Sequence, residues 1–221
     1  MMAAMISRLT DAPLLLGDCV PRADQLIVIE GVDWAGYEAL LALRGERSRP
    51  KLAYLDGVVE LMSTSREHEG LKSVVGRLVE AYCLERDIDF SAYGNWTLKQ
   101  EVKRSGIEAD ECYIFSPRPK DKERPDLAIE IVWTSGGIDK LEAYRRLQVG
   151  EVWFWKHNAI SVHVLGDDGY AAHERSVCLP GLDLDLVCRL AMVEPMSEAI
   201  KQLRAVLRGA EPGSSSDRLR S

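Results

Sequence analysis

Two carboxylates, Asp110 and Glu130, stand 20 positions apart, each joined to an apolar run that reads as a β-strand. Asp110 opens Glu111-Cys112-Tyr113-Ile114-Phe115, and Glu130 sits inside Leu127-Ala128-Ile129-Glu130-Ile131-Val132-Trp133. A charge within such a strand is costly unless it is paired or bound to a cation. Mg²⁺ takes one or two carboxylates and completes its shell with water and phosphate oxygens, a demand that acids on neighbouring strands meet. The plainer alternative is a pair of solvated acids at strand ends.

Other side chains could join them. Glu60, at the end of a hairpin, could add a third acidic ligand or hold a metal-bound water; its alternative is a sheet-edge acid. His68, at the start of a long helix, is placed for a proton shuttle or a phosphate contact, whereas many histidines there are caps or surface residues. Glu69 competes with it for the same supporting role. His157, His163 and His173 read as turn or strand-face residues without a role. Trp133, Trp153 and Trp155 are interleaved with apolar neighbours and read as core or dimer packing rather than base-stacking platforms.

The elements that must position these groups follow from pattern. Asp33 caps a helix running to Arg44, and Gly45 ends it. Lys51–Leu55 and Val58–Met62 flank Asp56-Gly57, a strong hairpin signal. From Ser65 to Arg86 the apolar residues Leu71, Val74, Val75, Leu78, Val79 and Tyr82 recur at helical spacing. Residues 90–98 read as a strand kinked at Gly94-Asn95, and 99–106 as a charged connection. Strands at about 110–115 and 126–133, a helix at 138–148 and a strand at 151–156 follow. His157-Asn158 turns the chain into the alternating run Ile160–Leu165, then Asp167-Asp168-Gly169 turns it into Tyr170–His173. A last amphipathic helix spans about Ser197–Leu207. This order predicts an α/β (α+β) domain with a mixed central β-sheet flanked by helices.

At 221 residues the chain fits one domain at 31–208 with an N-terminal arm at 1–30 and a tail at 209–221 whose Gly, Pro and Ser content predicts disorder. The net charge of −7 weighs against general nucleic-acid affinity, although metal-binding carboxylates add negative charge themselves and a basic cleft can sit on an acidic protein. Five scattered cysteines without CxxC spacing indicate buried free thiols in a reducing compartment. The sequence shows no signal peptide and no apolar run near the roughly 18 residues of a membrane span, so a cytoplasmic protein without membrane contact is expected.

The order of several short segments resembles the PD-(D/E)XK nuclease core and, more closely, is similar to the Uma-two family of restriction-endonuclease-like proteins. Those segments are Tyr54-x-Asp56-Gly57-x-x-Glu60-x-Met62-Ser63, His68, Glu108-x-Asp110-Glu111-Cys112-Tyr113, Pro125-Asp126-Leu127-Ala128-Ile129-Glu130, Lys140-Leu141-x-x-Tyr144 and Glu151-Val152-Trp153, within about 33–166. The resemblance implies a restriction-endonuclease-like fold, Mg²⁺-dependent phosphodiester hydrolysis, with Mn²⁺ as a substitute, and metal ligation by Asp110 and Glu130. Ala109 replaces the proline of the usual motif, a change that affects only the strand entry. Val132 replaces the lysine that orients the attacking water and offsets developing charge, which Val132 can do neither of. Family members resemble this chain in carrying a lysine on the following helix, so Lys140 is the replacement expected; Lys156 is the runner-up, read as leaving from the far end of a different strand.

The expectation is therefore a Mg²⁺-dependent DNA endonuclease. Asp110, Glu130 and Glu60 form its metal shell, Lys140 and His68 assist catalysis, and homodimerisation supplies two sites for two strands. The rival is a catalytically inactive nuclease-fold module that binds nucleic acid or recruits protein, for instance a dimer bringing DNA ends to another enzyme. Val132 and the acidic charge favour it.

Overall fold

A computed structural model describes residues 23–132 and 137–209. The turn chemistry read from the sequence builds two sheets rather than one. Strand β1 (Gln25–Glu30) leads to helix α1 (Trp34–Arg44), where the Asp33 side chain accepts the Gly36 N–H and Gly45 closes the far end. The Asp56-Gly57 hairpin joins β2 (Lys51–Leu55) to β3 (Val58–Ser63). Helix α2 (Arg66–Glu85) begins at Ser65, whose hydroxyl accepts the His68 N–H at 3.1 Å. Three strands, β4 (Ser91–Ala92), β5 (Thr97–Gln100) and β6 (Ser105–Glu108), precede β7 (Glu111–Ile114) and β8 (Leu127–Ile131). Helix α3 (Lys140–Leu147) crosses to β9 (Glu151–Lys156), and β10 (Ala159–Gly166) and β11 (Gly169–His173) complete the meander. Helices α4 (Leu184–Leu190) and α5 (Met196–Leu207) end the described chain.

The first sheet, β1-β3-β2-β6-β5, is antiparallel throughout. The second, β11-β10-β9-β8-β7-β4, is the mixed sheet expected, because β8 and β9 run parallel across the α3 crossover. Between β6 and β7 the chain steps from one sheet to the other through Ala109-Asp110, so the acid flagged in the sequence lies at the junction of the sheets.

Burial follows from alternation. In β8, Leu127, Ile129 and Ile131 point into a core shared with Leu71, Val75 and Leu78 of α2, Leu203 of α5, and Trp153. Ala128 points to the opposite core, formed with Ile107, Cys112, Tyr144, Leu147 and Val152. Burying each large aliphatic side chain contributes about 1.5–3 kcal/mol. A third cluster, Tyr37, Leu52, Tyr54 and Val59, seats α1 on the first sheet. Because β8 is buried on both faces, it reads as a nearly continuous apolar run. Glu130 interrupts that run on the α3 side.

Several expectations need correction. Residues 99–106 are a β-hairpin, with Lys99↔Gly106 and Gln100↔Ser105 in register, rather than a charged connection. The strand expected over 90–98 splits into β4 and β5, which belong to different sheets. Asp110 precedes β7 instead of starting it. Helix α4, capped by the Asp183 side chain, was not read because its seven residues are too short to show a helical period. Trp153 and Trp155 are core residues, as expected. The readings of Trp133, Cys19, most of the arm and the tail beyond Gly209 lie outside the described residues.

Candidate metal centre

The register of β7 and β8 brings the two acids together. Glu111 pairs with Ile129, so one step earlier Asp110 stands opposite Glu130. Each is 1% exposed, which excludes the plain alternative of solvated strand-end acids. Burial of a carboxylate demands partners, and both have them.

Asp110 Oδ2 accepts the Ile131 N–H at 2.7 Å, and Oδ1 is ion-paired with the Lys51 ammonium. Lys51 also donates to the Ala109 carbonyl at 3.2 Å. His68 Nε2 lies 3.1 Å from Asp110 Oδ1, within ion-pair range but not aligned as a hydrogen bond. Its Nδ1 meets Asp24 Oδ2 at 2.7 Å, and Asp24 Oδ1 accepts the Ser65 N–H at 2.7 Å. Burial raises the Asp110 pKa, but Lys51, His68 and Lys140 outweigh it and hold the carboxyl well below the usual range. Burial works against the charged His68 ring, and the Asp110 and Asp24 carboxylates outweigh it, so the pKa is raised.

Glu130 is held from α3. Lys140 and Tyr144 lie four residues apart on one helix face, the spacing at which side chains stack. Lys140 Nζ reaches Glu130 Oε2 at 2.7 Å, and the Tyr144 hydroxyl donates to Oε1. Burial and the Glu130 charge push the Tyr144 pKa far up, so this donor stays protonated. Burial opposes the Lys140 charge, while Glu130, Asp110 and Glu60 together outweigh it and hold the ammonium above its ordinary range.

Glu60 lies within β3, opposite Val28 and Ala53, rather than at the hairpin end. Its Oε2 accepts the Ile138 N–H at 3.1 Å, and burial raises its pKa. Glu60, Val132, Lys140, Phe154, Lys156 and Ser161 line a cavity of 350 Å³. Asp110 and Glu130 sit behind that lining, with Lys140 both facing the cavity and holding Glu130. Gly137 adjoins the cavity with φ +92°, and a Cβ built there would collide with Glu60 Oε2. Gly137→Ala is expected to displace Glu60 and cost about 1–3 kcal/mol through the strained backbone. Urea denaturation measures the cost, and an unchanged midpoint would refute this account.

The structure therefore joins Asp110, Glu130, Lys140 and Glu60 around one polar centre and attaches His68 behind Asp110. It gives Glu69 to Thr64 and Lys72 instead, at 2.5 and 2.9 Å. Lys156 is not at the far end of its strand relative to the missing triplet lysine. Since β8 and β9 are parallel, Ile131 pairs with Trp155 and Lys156 follows beside Val132. Sequence reasoning missed Lys51 and Asp24 entirely. A lysine opening the apolar run Lys51-Leu52-Ala53-Tyr54-Leu55 was the one signal for the former. Tyr144 carries no role in the sequence pattern beyond the family motif, and its offset of four from Lys140 is the signal that places it on the same helix face.

Among the described residues no group of three or more His, Cys, Asp and Glu side chains is placed to hold a metal ion. The donors nevertheless fit an ion that takes two carboxylates and leaves other positions to water and phosphate. They are hard oxygen ligands, and the Lys51 and Lys140 ammoniums stand where such an ion would sit, so its binding would displace them from these oxygens. Asp110 and Glu130 would hold the ion, with Glu60 at the edge.

His68 makes stability depend on pH. Its folded pKa is raised above the ordinary 6.5, so its contribution is fully present below that value and is lost as pH rises through the folded one. Urea midpoints in a chelating buffer should fall from pH 6 to 9 more steeply for the native protein than for His68→Gln; parallel curves would sink the assignment.

No helix among the described residues is long and apolar enough to cross a membrane. No protein of curated function matches the chain. A crystal structure described as "a putative nuclease belonging to DUF820 from Anabaena variabilis ATCC 29413" is similar, with 14% identity, a TM-score of 0.45, and coverage of 75% of this chain and 96% of that one. The model of the family Uma2, described as "Putative restriction endonuclease", matches residues 34–189. Restriction-endonuclease-like families generally use divalent metal ions. The chain belongs to the Uma2 restriction-endonuclease-like family.

Proposed function

We propose that the protein is a Mg²⁺-dependent endonuclease hydrolysing phosphodiester bonds of DNA, with Mn²⁺ as a substitute. The observation carrying this reading is the Lys140 ammonium seated on Glu130 and biased by Asp110 and Glu60, beside a cavity of 350 Å³. A divalent ion bound at Asp110 and Glu130 would polarise the phosphoryl group and lower the pKa of a bound water. The chain's own groups do the rest. Tyr144 fixes the Glu130 carboxylate, Lys51 and the Ile131 N–H fix Asp110, and His68 sits against Asp110 as its proton-bearing support. Lys140 offsets the charge that develops on phosphorus, the role Val132 leaves open. Homodimerisation in the cytoplasm would place two such sites against two strands.

A second reading is a nuclease fold that binds nucleic acid or recruits protein without cutting. It is favoured by one observation: both carboxylates already have ammonium partners, and neither lines the cavity. Incubating supercoiled plasmid with Mg²⁺, Mn²⁺ or chelator separates the two. Metal-dependent nicking supports the enzyme; intact plasmid, together with no calorimetric Mg²⁺ or Mn²⁺ binding, removes it.

A further inference from the structure

We propose that Lys156, with Ser161 beside it, forms a subsite for a backbone phosphate of the nucleic acid, adjoining the phosphodiester at the acidic centre. This rests on the nuclease-fold reading above and adds the residue that grips the strand.

Register is the starting point. Glu130 pairs with Phe154 across the parallel β8–β9 ladder, and side chains alternate with a period of two. Two residues further on, Val132 and Lys156 therefore share the Glu130 face. The Val132 N–H donates to the Trp155 carbonyl at 2.9 Å, carrying the ladder to that point. On the other side of β9, Ser161 pairs with Phe154, and Ala159 pairs with Lys156 as the last rung of the hairpin. Thus Phe154, Lys156, Ser161 and Val132 converge on one wall of the 350 Å³ cavity.

Charge distribution selects the ligand. Lys51 and Lys140 are committed to Asp110 and Glu130. Lys156 has no carboxylate within ion-pair distance among the described residues, and its side chain is exposed. A chain of net charge −7 repels a polyanion at long range, so a cavity that accepts one needs an uncommitted cation at its mouth. A lysine serves as a point charge for phosphate. The Ser161 hydroxyl donates to the Phe154 carbonyl at 3.5 Å and lies 3.3 Å from His163 Nε2, contacts long enough that it can turn its proton to a phosphate oxygen instead. The backbone beneath it is held firmly, since His157 and Asn158 have φ of 52° and 59° and form the tight two-residue turn that fixes hairpin register. Lys156 thus meets the strand beside the reacting centre, where the usual triplet lysine would have been. It contacts a neighbouring phosphate and leaves the chemistry to Lys140.

The test is binding of a fluorescein-labelled DNA duplex in chelator, where nothing is cut, followed by anisotropy across a salt series. Lys156→Met should weaken binding roughly threefold to tenfold and reduce the magnitude of the slope of log K against log salt by about one, the loss of one phosphate contact. Lys201→Met, at a 74% exposed side chain on α5, is the control and should change neither. Identical slopes for Lys156→Met and the native protein overturn the subsite. If the native protein cuts plasmid and Lys156→Met binds normally, the subsite fails and the nuclease reading stands. If it binds but does not cut, and Lys156→Met loses the slope, the subsite stands without the catalysis. Absence of any duplex binding by the native protein overturns both.

Discussion

Glu130→Gln is expected to reduce Mg²⁺-dependent DNA cleavage by more than about 100-fold while leaving the fold in place. Groups one shell out from a metal typically cost 10–100-fold when removed, so loss of a ligand should exceed that range. The substitution suits the purpose because its structural cost is small. The glutamine oxygen can still accept from Tyr144, and Lys140, 18% exposed, can swing toward the cavity, where Asp110 and Glu60 still favour its charge. Plasmid nicking rates measure the first effect and circular dichroism melting the second. A folded Glu130→Gln protein that cuts within threefold of native would remove Glu130 from the metal shell.

Lys51→Met should have the larger effect on stability, about 3–5 kcal/mol, the usual cost of removing one member of a buried ion pair. Asp110 would keep the Ile131 N–H and His68 but lose its strongest compensation, and no solvent reaches it at 1% exposure. Methionine keeps much of the length and apolar stem of lysine, which isolates the charge. The loss should be smaller at pH 6 than at pH 8, because a protonated His68 partly compensates Asp110 and the raised His68 pKa favours that form at the lower pH. Urea denaturation at both pH values checks this. A loss under about 1 kcal/mol, or one independent of pH, would show that Lys51 does not compensate Asp110.

Much of the local structure was legible in the chain because its causes are local. Asp33, Ser65 and Asp139 cap helices through their own side chains, Asp56-Gly57 supplies the turn, and α2 shows its stripe by the recurrence of apolar residues every three or four positions. The suspicion attached to Glu130 was also local: one charge in a run of apolar residues needs a reason. Asp110 and Glu130 share a register, and Lys140 and Tyr144 share a helix face, so this half of the centre follows from periodicities of two and 3.6 once the strands are known to pair.

What only the tertiary structure decided lies across long separations. Lys51 reaches Asp110 over 59 positions and Glu60 accepts from Ile138 over 78, and neither spacing leaves a periodic trace. The step at Ala109-Asp110 between two sheets depends on which strands find each other, a matter of whole-domain packing. Lys156 looked remote from the missing triplet lysine because a sequence does not state whether two strands run parallel. The α3 crossover makes β8 and β9 parallel and puts Lys156 beside Val132. The chain alone therefore determined which residues carry charge into the core. The pairing of distant strands determined which cations answer them, because a buried charge is compensated by whatever the fold brings within a few ångströms, regardless of where it lies in the sequence.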